Sequence, residues 1–144
     1  LHRFYPGVIE RLQGAIAADI FPIIISTKEG RFIQALLAQA GVDLPRDQII
    51  GKESKQPKSI TLQQIQASPP AAAVASQPIW FLEDRLKTLD KVKAVAELAD
   101  ITLFLVDWGY NTAAERDRAI QDSRIHLLSL PQMTGEFAAW LPAS

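Results

Sequence analysis

Two adjacent carboxylates, Glu83 and Asp84, close a short apolar run, Pro78-Ile79-Trp80-Phe81-Leu82. The run is too short for a stable helix and bulky enough for a buried strand. Arg85, Leu86 and Lys87 then lead into a helical pattern. In an open parallel α/β sheet, ligands bind at the carboxyl ends of the strands, so this strand aims two negative charges at such a place. Side by side the two repel unless a cation or a base lies between them. A hard divalent ion such as Mg²⁺ takes oxygen ligands and is the simplest resolution. The plain alternative is that Glu83 or Asp84 caps the following helix. Two more polar places follow apolar runs. Ser26-Thr27-Lys28 ends the run Ile20 to Ile25 and offers hydroxyls and amides at a helix start, either a cradle for phosphate oxygens or a simple N-cap. Lys58 follows a third short run and precedes a helix, where its ammonium either neutralises a phosphoryl group or is merely solvated.

The elements that must position these residues alternate in type. Phe4-Tyr5-Pro6-Gly7 reads as an extended lead-in and a turn, and Val8, Ile9, Leu12 and Ile16 then share one face of a helix. Ile20 to Ile25 has strand length, with Pro22 near its start where a missing N–H is tolerable. A second helix carries Phe32, Leu36 and Ala40 as one apolar row and Ile33 and Leu37 as another, with Gly41 placed to end it. Gln48 to Gly51 reads as a short strand, and Lys52 to Lys58 as a polar, lysine-rich connection. Ser59 to Gln66 has a helical pattern, broken by Ser68-Pro69-Pro70 and an alanine-rich loop at 71–77. After the Trp80 strand, Leu89, Val92, Val95 and Leu98 repeat at helical spacing. Ile101 to Val106 is a further buried strand, and Asn111 or Thr112 can cap the charged helix beyond it. His126 to Leu130 is a last strand, and Pro131 opens a helix through Phe137 and Trp140. The alternation predicts parallel βαβ units in one domain, 1–144.

Composition narrows the function classes. A chain of 144 residues can bury a real core, and a formal charge of -1 gives no basic footprint for nucleic acid. Without cysteine there is no disulfide, no thiolate nucleophile and no Cys-ligated zinc. His2 and His126 lie far apart, which argues against a His-based triad or metal site. No apolar run reaches the ~20 residues of a membrane helix, and no secretory pattern opens the sequence. A cytoplasmic location is therefore expected. The first residue is Leu, which is read as the mark of a chain that has been processed or cut.

The order of the polar places carries a resemblance. A hydroxyl after one strand, a lysine before a later helix and an acidic pair after an apolar strand together resemble the haloacid dehalogenase superfamily of phosphohydrolases, over most of the chain. Phe4 to Val8 looks like the re-entry into the core domain after a cap. Ile23 to Lys28 resembles the family's second motif, Gln56-Pro57-Lys58 its third and Phe81-Leu82-Glu83-Asp84 its fourth. Phe104 to Tyr110, with Trp108-Gly109-Tyr110, is similar to the strand and loop of phosphoglycolate-phosphatase-like members. The resemblance implies a Rossmann-like, three-layer α/β/α fold and Mg²⁺-dependent hydrolysis of a small phosphorylated substrate. It implies that Asp84 ligates Mg²⁺ with Glu83 in support, that Ser26, Thr27 and Lys28 hold the phosphoryl group, and that Lys58 offsets its charge.

Two departures stand out. The family's fourth motif has another aspartate about one helical turn on, where this chain has Thr88 and then Asp90. The first motif, Asp-x-Asp, which supplies nucleophile and general acid, is absent. Asp107, at the end of Leu105-Val106, is the nearest imitation and lacks the acid partner. The chain is accordingly expected to be the carboxyl-terminal part of a larger hydrolase, completed by an amino-terminal segment and inactive alone. The alternative is a non-catalytic interaction module of the same fold. Receiver domains share an acidic pair, a hydroxyl and a lysine, but in the reverse order. Ser26, Lys58 and Asp84 are expected to converge on one cleft. Without a first strand between those ending at Ser26 and Glu83, the chain is expected to be unstable or prone to aggregate.

Overall fold

The structure, a computed structural model, describes residues 5, 7–18, 20–67 and 78–141. The readings of His2, Phe4 and Pro6, of the Ser68-Pro69-Pro70 break and of the loop at 71–77 lie outside the described residues. The chain is mixed α/β with two small parallel sheets and six α-helices among the described residues. It divides into two compact units, Leu1–Pro57 and Lys58–Ser144. No helix among the described residues is long and apolar enough to cross a membrane.

In the first unit, α1 (Val8–Ala17) precedes β1 (Ile24–Ile25), α2 (Gly30–Gln39) and β2 (Ile49–Ile50), with 3₁₀ turns at Arg46–Gln48 and Lys52–Ser54. Strands β1 and β2 run parallel, Ile24 opposite Ile49 and Ile25 opposite Ile50. Leu37, Val42, Leu44 and Ile49 form the buried core, and Ile9, Leu12, Ile24 and Ile33 pack on it. Of the two apolar rows of α2, Ile33 and Leu37 face this core, while Phe32 is exposed. Gly41, at φ 88, takes the left-handed conformation that lets the chain leave α2. The apolar run from Ile20 gives only a two-residue strand. Its partner β2 is hemmed in by the two 3₁₀ turns, so the ladder has no more rungs, and the Pro22 carbonyl instead accepts from Gln48 Nε2 at 2.8 Å.

In the second unit, α3 (Lys58–Ala67), β3 (Trp80–Glu83), α4 (Leu86–Lys93), β4 (Thr102–Val106), α5 (Ala113–Ile120), β5 (Ile125–Leu128) and α6 (Leu130–Met133) follow in order. The sheet is parallel in the order β3-β4-β5, with Glu83 opposite Leu105 and Leu105 opposite Leu127. Paired on both sides, β4 is the best buried strand: Leu103, Phe104 and Leu105 are each 0% exposed. Successive side chains of a strand point to opposite faces. On one face Phe104 and Val106 join Leu128 and Trp140 in a cluster lined by Trp80, Leu82, Trp108, Met133 and Phe137. The Leu89 to Leu98 pattern is not one helix: α4 ends at Lys93, and a 3₁₀ turn, Ala96–Leu98, buries Leu98. Arg124 donates to the Leu98 and Ile101 carbonyls, fixing the corner through which the chain enters β4. The last helix is also interrupted. Ser129 caps α6 and Pro131 sits in its first turn, but the helix ends at Met133, before Gly135, and the chain resumes as a 3₁₀ turn, Phe137–Trp140.

Candidate functional site

The carboxyl end of β3 delivers Glu83 and Asp84 as its alternation requires: Glu83 inward, 5% exposed, and Asp84 half-buried in the turn to α4. Lys58, the first residue of α3, brings its Nζ to 2.7 Å from Glu83 Oε2. Glu83 Oε1 accepts the N–H groups of Asp84 (3.0 Å) and Arg85 (3.2 Å). A buried carboxylate is tolerated when it is paired and hydrogen-bonded, and both Glu83 oxygens are so engaged. The cation beside the buried Glu83 carboxylate is thus supplied by the chain itself, 25 residues upstream. The N-cap of α4 is Arg85, so neither acid residue has that task.

Asp84 is held from the other side by the loop after β4. Its Oδ2 accepts the Tyr110 N–H at 3.1 Å. Gly109 lies so close that a Cβ there would collide with the Asp84 side chain. Asn111 Nδ2 donates to the carbonyls of Asp84 (2.9 Å) and Val106 (2.8 Å), and Arg116 Nη1 donates to Asn111 Oδ1 at 2.8 Å. The guanidinium of Arg85 sits 5.7 Å over the exposed Tyr110 ring, and both residues line a cleft of about 360 Å³ with Leu86, Lys87 and Glu115.

The electrostatics of the two carboxyls diverge. Burial pushes Glu83 above its ordinary value, reinforced by the neighbouring Asp84 carboxyl and opposed by Lys58 and the Arg85 N–H. Burial alone would raise Asp84 too. Its hydrogen bond with Glu83 and the Tyr110 N–H outweigh that and hold it below the usual aspartate value. Among the described residues no group of three or more His, Cys, Asp or Glu could hold a metal ion. With Glu83 filled by its own partners, the strand end leaves at most one carboxylate, Asp84, for a cation. Such sparse protein ligation is compatible with Mg²⁺, which keeps waters and shares substrate phosphate oxygens. Asp90 is engaged elsewhere, with Arg118 at 2.8 Å and Lys93 at 4.0 Å. Asp107 follows β4 and donates its N–H to the Leu128 carbonyl.

In the first unit, the Ser26 N–H donates to the Ile50 carbonyl at 2.8 Å, and the Ser26 hydroxyl accepts the Lys28 N–H at 3.0 Å. Thr27 and Lys28 are exposed, with Lys28 Nζ 5.8 Å from the Phe32 ring centre. The N-cap position of α2 is Glu29, not Ser26 or Thr27. The Gly30 N–H, at the start of α2, donates to the Glu53 carboxylate (3.1 and 3.2 Å), which also pairs with Arg46. The backbone N–H of Glu53 itself, then that of Gly30, and the Arg46 guanidinium hold its carboxyl below the ordinary value. These residues border a cleft of about 560 Å³ with Glu29, Arg31, Lys52 and Lys55.

Of the residues singled out from sequence, Lys58, Glu83 and Asp84 are brought together in the second unit, while Ser26, Thr27 and Lys28 belong to the first. Asn111, Gly109 and Arg116 escaped the sequence reading as partners of Asp84. The one available signal was Asn111 standing beside Thr112, whose spacing to Glu115 is that of a capping box, which left the Asn111 amide for another task. A scan of known protein families finds no match to this chain, and searches of curated proteins and of solved structures find none either.

Proposed function

We propose that this chain provides the phosphate-site half of a haloacid-dehalogenase-type hydrolase acting with Mg²⁺ on a small phosphorylated substrate. The observation that carries the reading is the Lys58–Glu83 pair beside Asp84. A lysine at a helix start is joined to an acidic strand end 25 residues away, which supports reading the third-motif and fourth-motif positions as parts of one site. The strand pairing adds support. Among the described residues β1 has only β2 as a strand partner and β3 only β4, so each of them has a side on which a further strand could pair, as β2 and β5 also have. In this reading Asp84 ligates the ion, Glu83 orients Lys58, and Lys58 offsets phosphoryl charge. The metal, when bound, would stabilise charge on the transferring group. The sequence holds no Asp-x-Asp, so the chain alone is expected to leave p-nitrophenyl phosphate intact with Mg²⁺; turnover abolished by Asp107→Asn would instead make Asp107 the nucleophile. The deciding experiment is Mn²⁺ uptake by electron paramagnetic resonance. Binding by the wild type that Asp84→Asn weakens at least tenfold supports the proposal, and no uptake at millimolar Mn²⁺ overturns it.

One observation favours a second reading, a non-catalytic module. Lys58 is already committed to a buried partner, as an ion pair that only maintains the fold would be. In that case Lys58→Met lowers stability and leaves phosphate-analogue binding unchanged.

A further inference from the structure

We propose that Asn111 is the positioning residue for the Asp84 carboxylate, an inference that rests on Asp84 being the ligand-facing group of the site. Three features of the loop after β4 support it. The Asn111 side-chain amide donates two hydrogen bonds, to the last carbonyl of β4 (Val106, 2.8 Å) and to the Asp84 carbonyl (2.9 Å). It thereby ties the ends of two neighbouring strands, 27 residues apart in sequence for the longer link. The amide cannot reverse its role, because Arg116 Nη1 occupies Asn111 Oδ1 at 2.8 Å and a guanidinium only donates. The stretch so anchored carries the Tyr110 N–H that meets Asp84 Oδ2 at 3.1 Å and the Gly109 backbone, which presses on the Asp84 side chain. Asn111 touches no carboxylate oxygen itself. It holds the segment that does.

The residue type matters. Aspartate at 111 would keep the shape and the Arg116 partner but could not donate, and would face two carbonyl oxygens with an acceptor. Its added negative charge would by itself tighten cation binding near Asp84. The loss of positioning weakens it, and partners of this kind are worth about 10–100-fold in metal affinity. The two effects have opposite signs, which makes Asn111→Asp the informative variant.

The test uses the full chain and two measurements, amide hydrogen exchange at Tyr110 and Mn²⁺ affinity by electron paramagnetic resonance. In Asn111→Asp the Tyr110 amide is expected to lose at least tenfold in protection while the Leu105 amide of β4 keeps its own, and Mn²⁺ is expected to bind about tenfold more weakly. Unchanged protection at Tyr110, or tighter Mn²⁺ binding, overturns the proposal. If Asn111→Asp also strips protection from β4, the same two measurements are made on Gly109→Ala. That variant leaves every hydrogen-bonding group in place and forces the loop off Asp84, and it must show the same losses. Loss at Tyr110 in a protein whose wild type takes up no Mn²⁺ keeps the positioning role and removes the metal reading, so the two failures are distinct.

Discussion

Glu83 is the residue whose environment decides how the site behaves. With 5% of its surface exposed and a lysine ammonium at 2.7 Å, it is a carboxylate that burial destabilises and three donors rescue. Removing the cation by Lys58→Met leaves the charge buried with only two amides. The loss from breaking a fully buried pair is about 3–5 kcal/mol. Lys58 is 24% exposed, so water screens part of the interaction, and about 2–3 kcal/mol is expected in urea unfolding. A change below about 0.5 kcal/mol would show that the pair is dispensable. The pH dependence carries a sign. A carboxyl raised in the folded state contributes stability that is full below the unfolded value, about 4.3, and is lost as pH rises through the folded value. The stability of the wild type relative to Glu83→Gln should therefore be greatest near pH 4 and shrink toward pH 7. A difference that grows with pH would mean that Lys58 outweighs burial. Asp84 and Asp122, both lowered, act in the opposite sense, contributing above about pH 4 and losing that contribution on acidification.

The elements show which signals in the sequence were readable. Five of the six helices have an apolar or charged pattern that places them within a few residues, and the buried runs of β3 and β4 stand out because each ends at a charged residue. Lengths were harder to read. Ile20 to Ile25 is as apolar as β4, yet a strand is only as long as its partner, and β2 stops after Ile50. That limit lies in another segment of the sequence. The break of α4 after Lys93 likewise has no glycine or proline to announce it; it follows from the Arg124 side chain holding the next corner. In the site, Glu83 and Asp84 were legible from their strand-end position, and the Lys58 partnership only through a resemblance. The clamp from Asn111 was not legible, since an asparagine ahead of a helix reads as a cap. The true cap is Thr112, whose hydroxyl accepts the Glu115 N–H while Glu115 accepts the Thr112 N–H. Thr112→Ala should remove about 1 kcal/mol from the unfolding free energy of the chain. Because α5 follows the Asn111 loop directly, it should also fray Arg116. No loss of stability in Thr112→Ala would show that Arg116 and Asn111 hold the start of α5 without the box.

At the scale of the whole molecule, the two units differ in how well their backbones are locked. The first rests on a two-rung ladder and a core of Leu37, Val42, Leu44 and Ile49. The second has a three-stranded sheet whose central strand is paired on both sides and whose Leu103, Phe104 and Leu105 are fully buried. Local opening costs least where few hydrogen bonds and little apolar contact must be broken. Amide exchange under native conditions should therefore be slowest in β4 and markedly faster in β1, β2 and α2. One common rate across both units would mean that they open only together, and the division into two would lose its physical meaning. The open edges bear on association as well. Among the described residues strand β3 has one unpaired side, next to the half-buried Trp80 and Leu82, and such an edge templates pairing with another chain. The protein should form larger species as its concentration rises, visible in light scattering. Leu82→Lys would give a weaker test, because Leu82 also packs on the Phe104 and Trp140 cluster and its loss costs stability on its own. Dilution is cleaner, since it changes no side chain: if the edge drives association, the larger species should dissociate on dilution while β4 keeps its slow exchange. A monomer at every concentration, unfolding in one cooperative step, would show that the open edge of β3 is harmless. The topological support for a neighbouring first strand would then be gone, and the non-catalytic reading would be the better one.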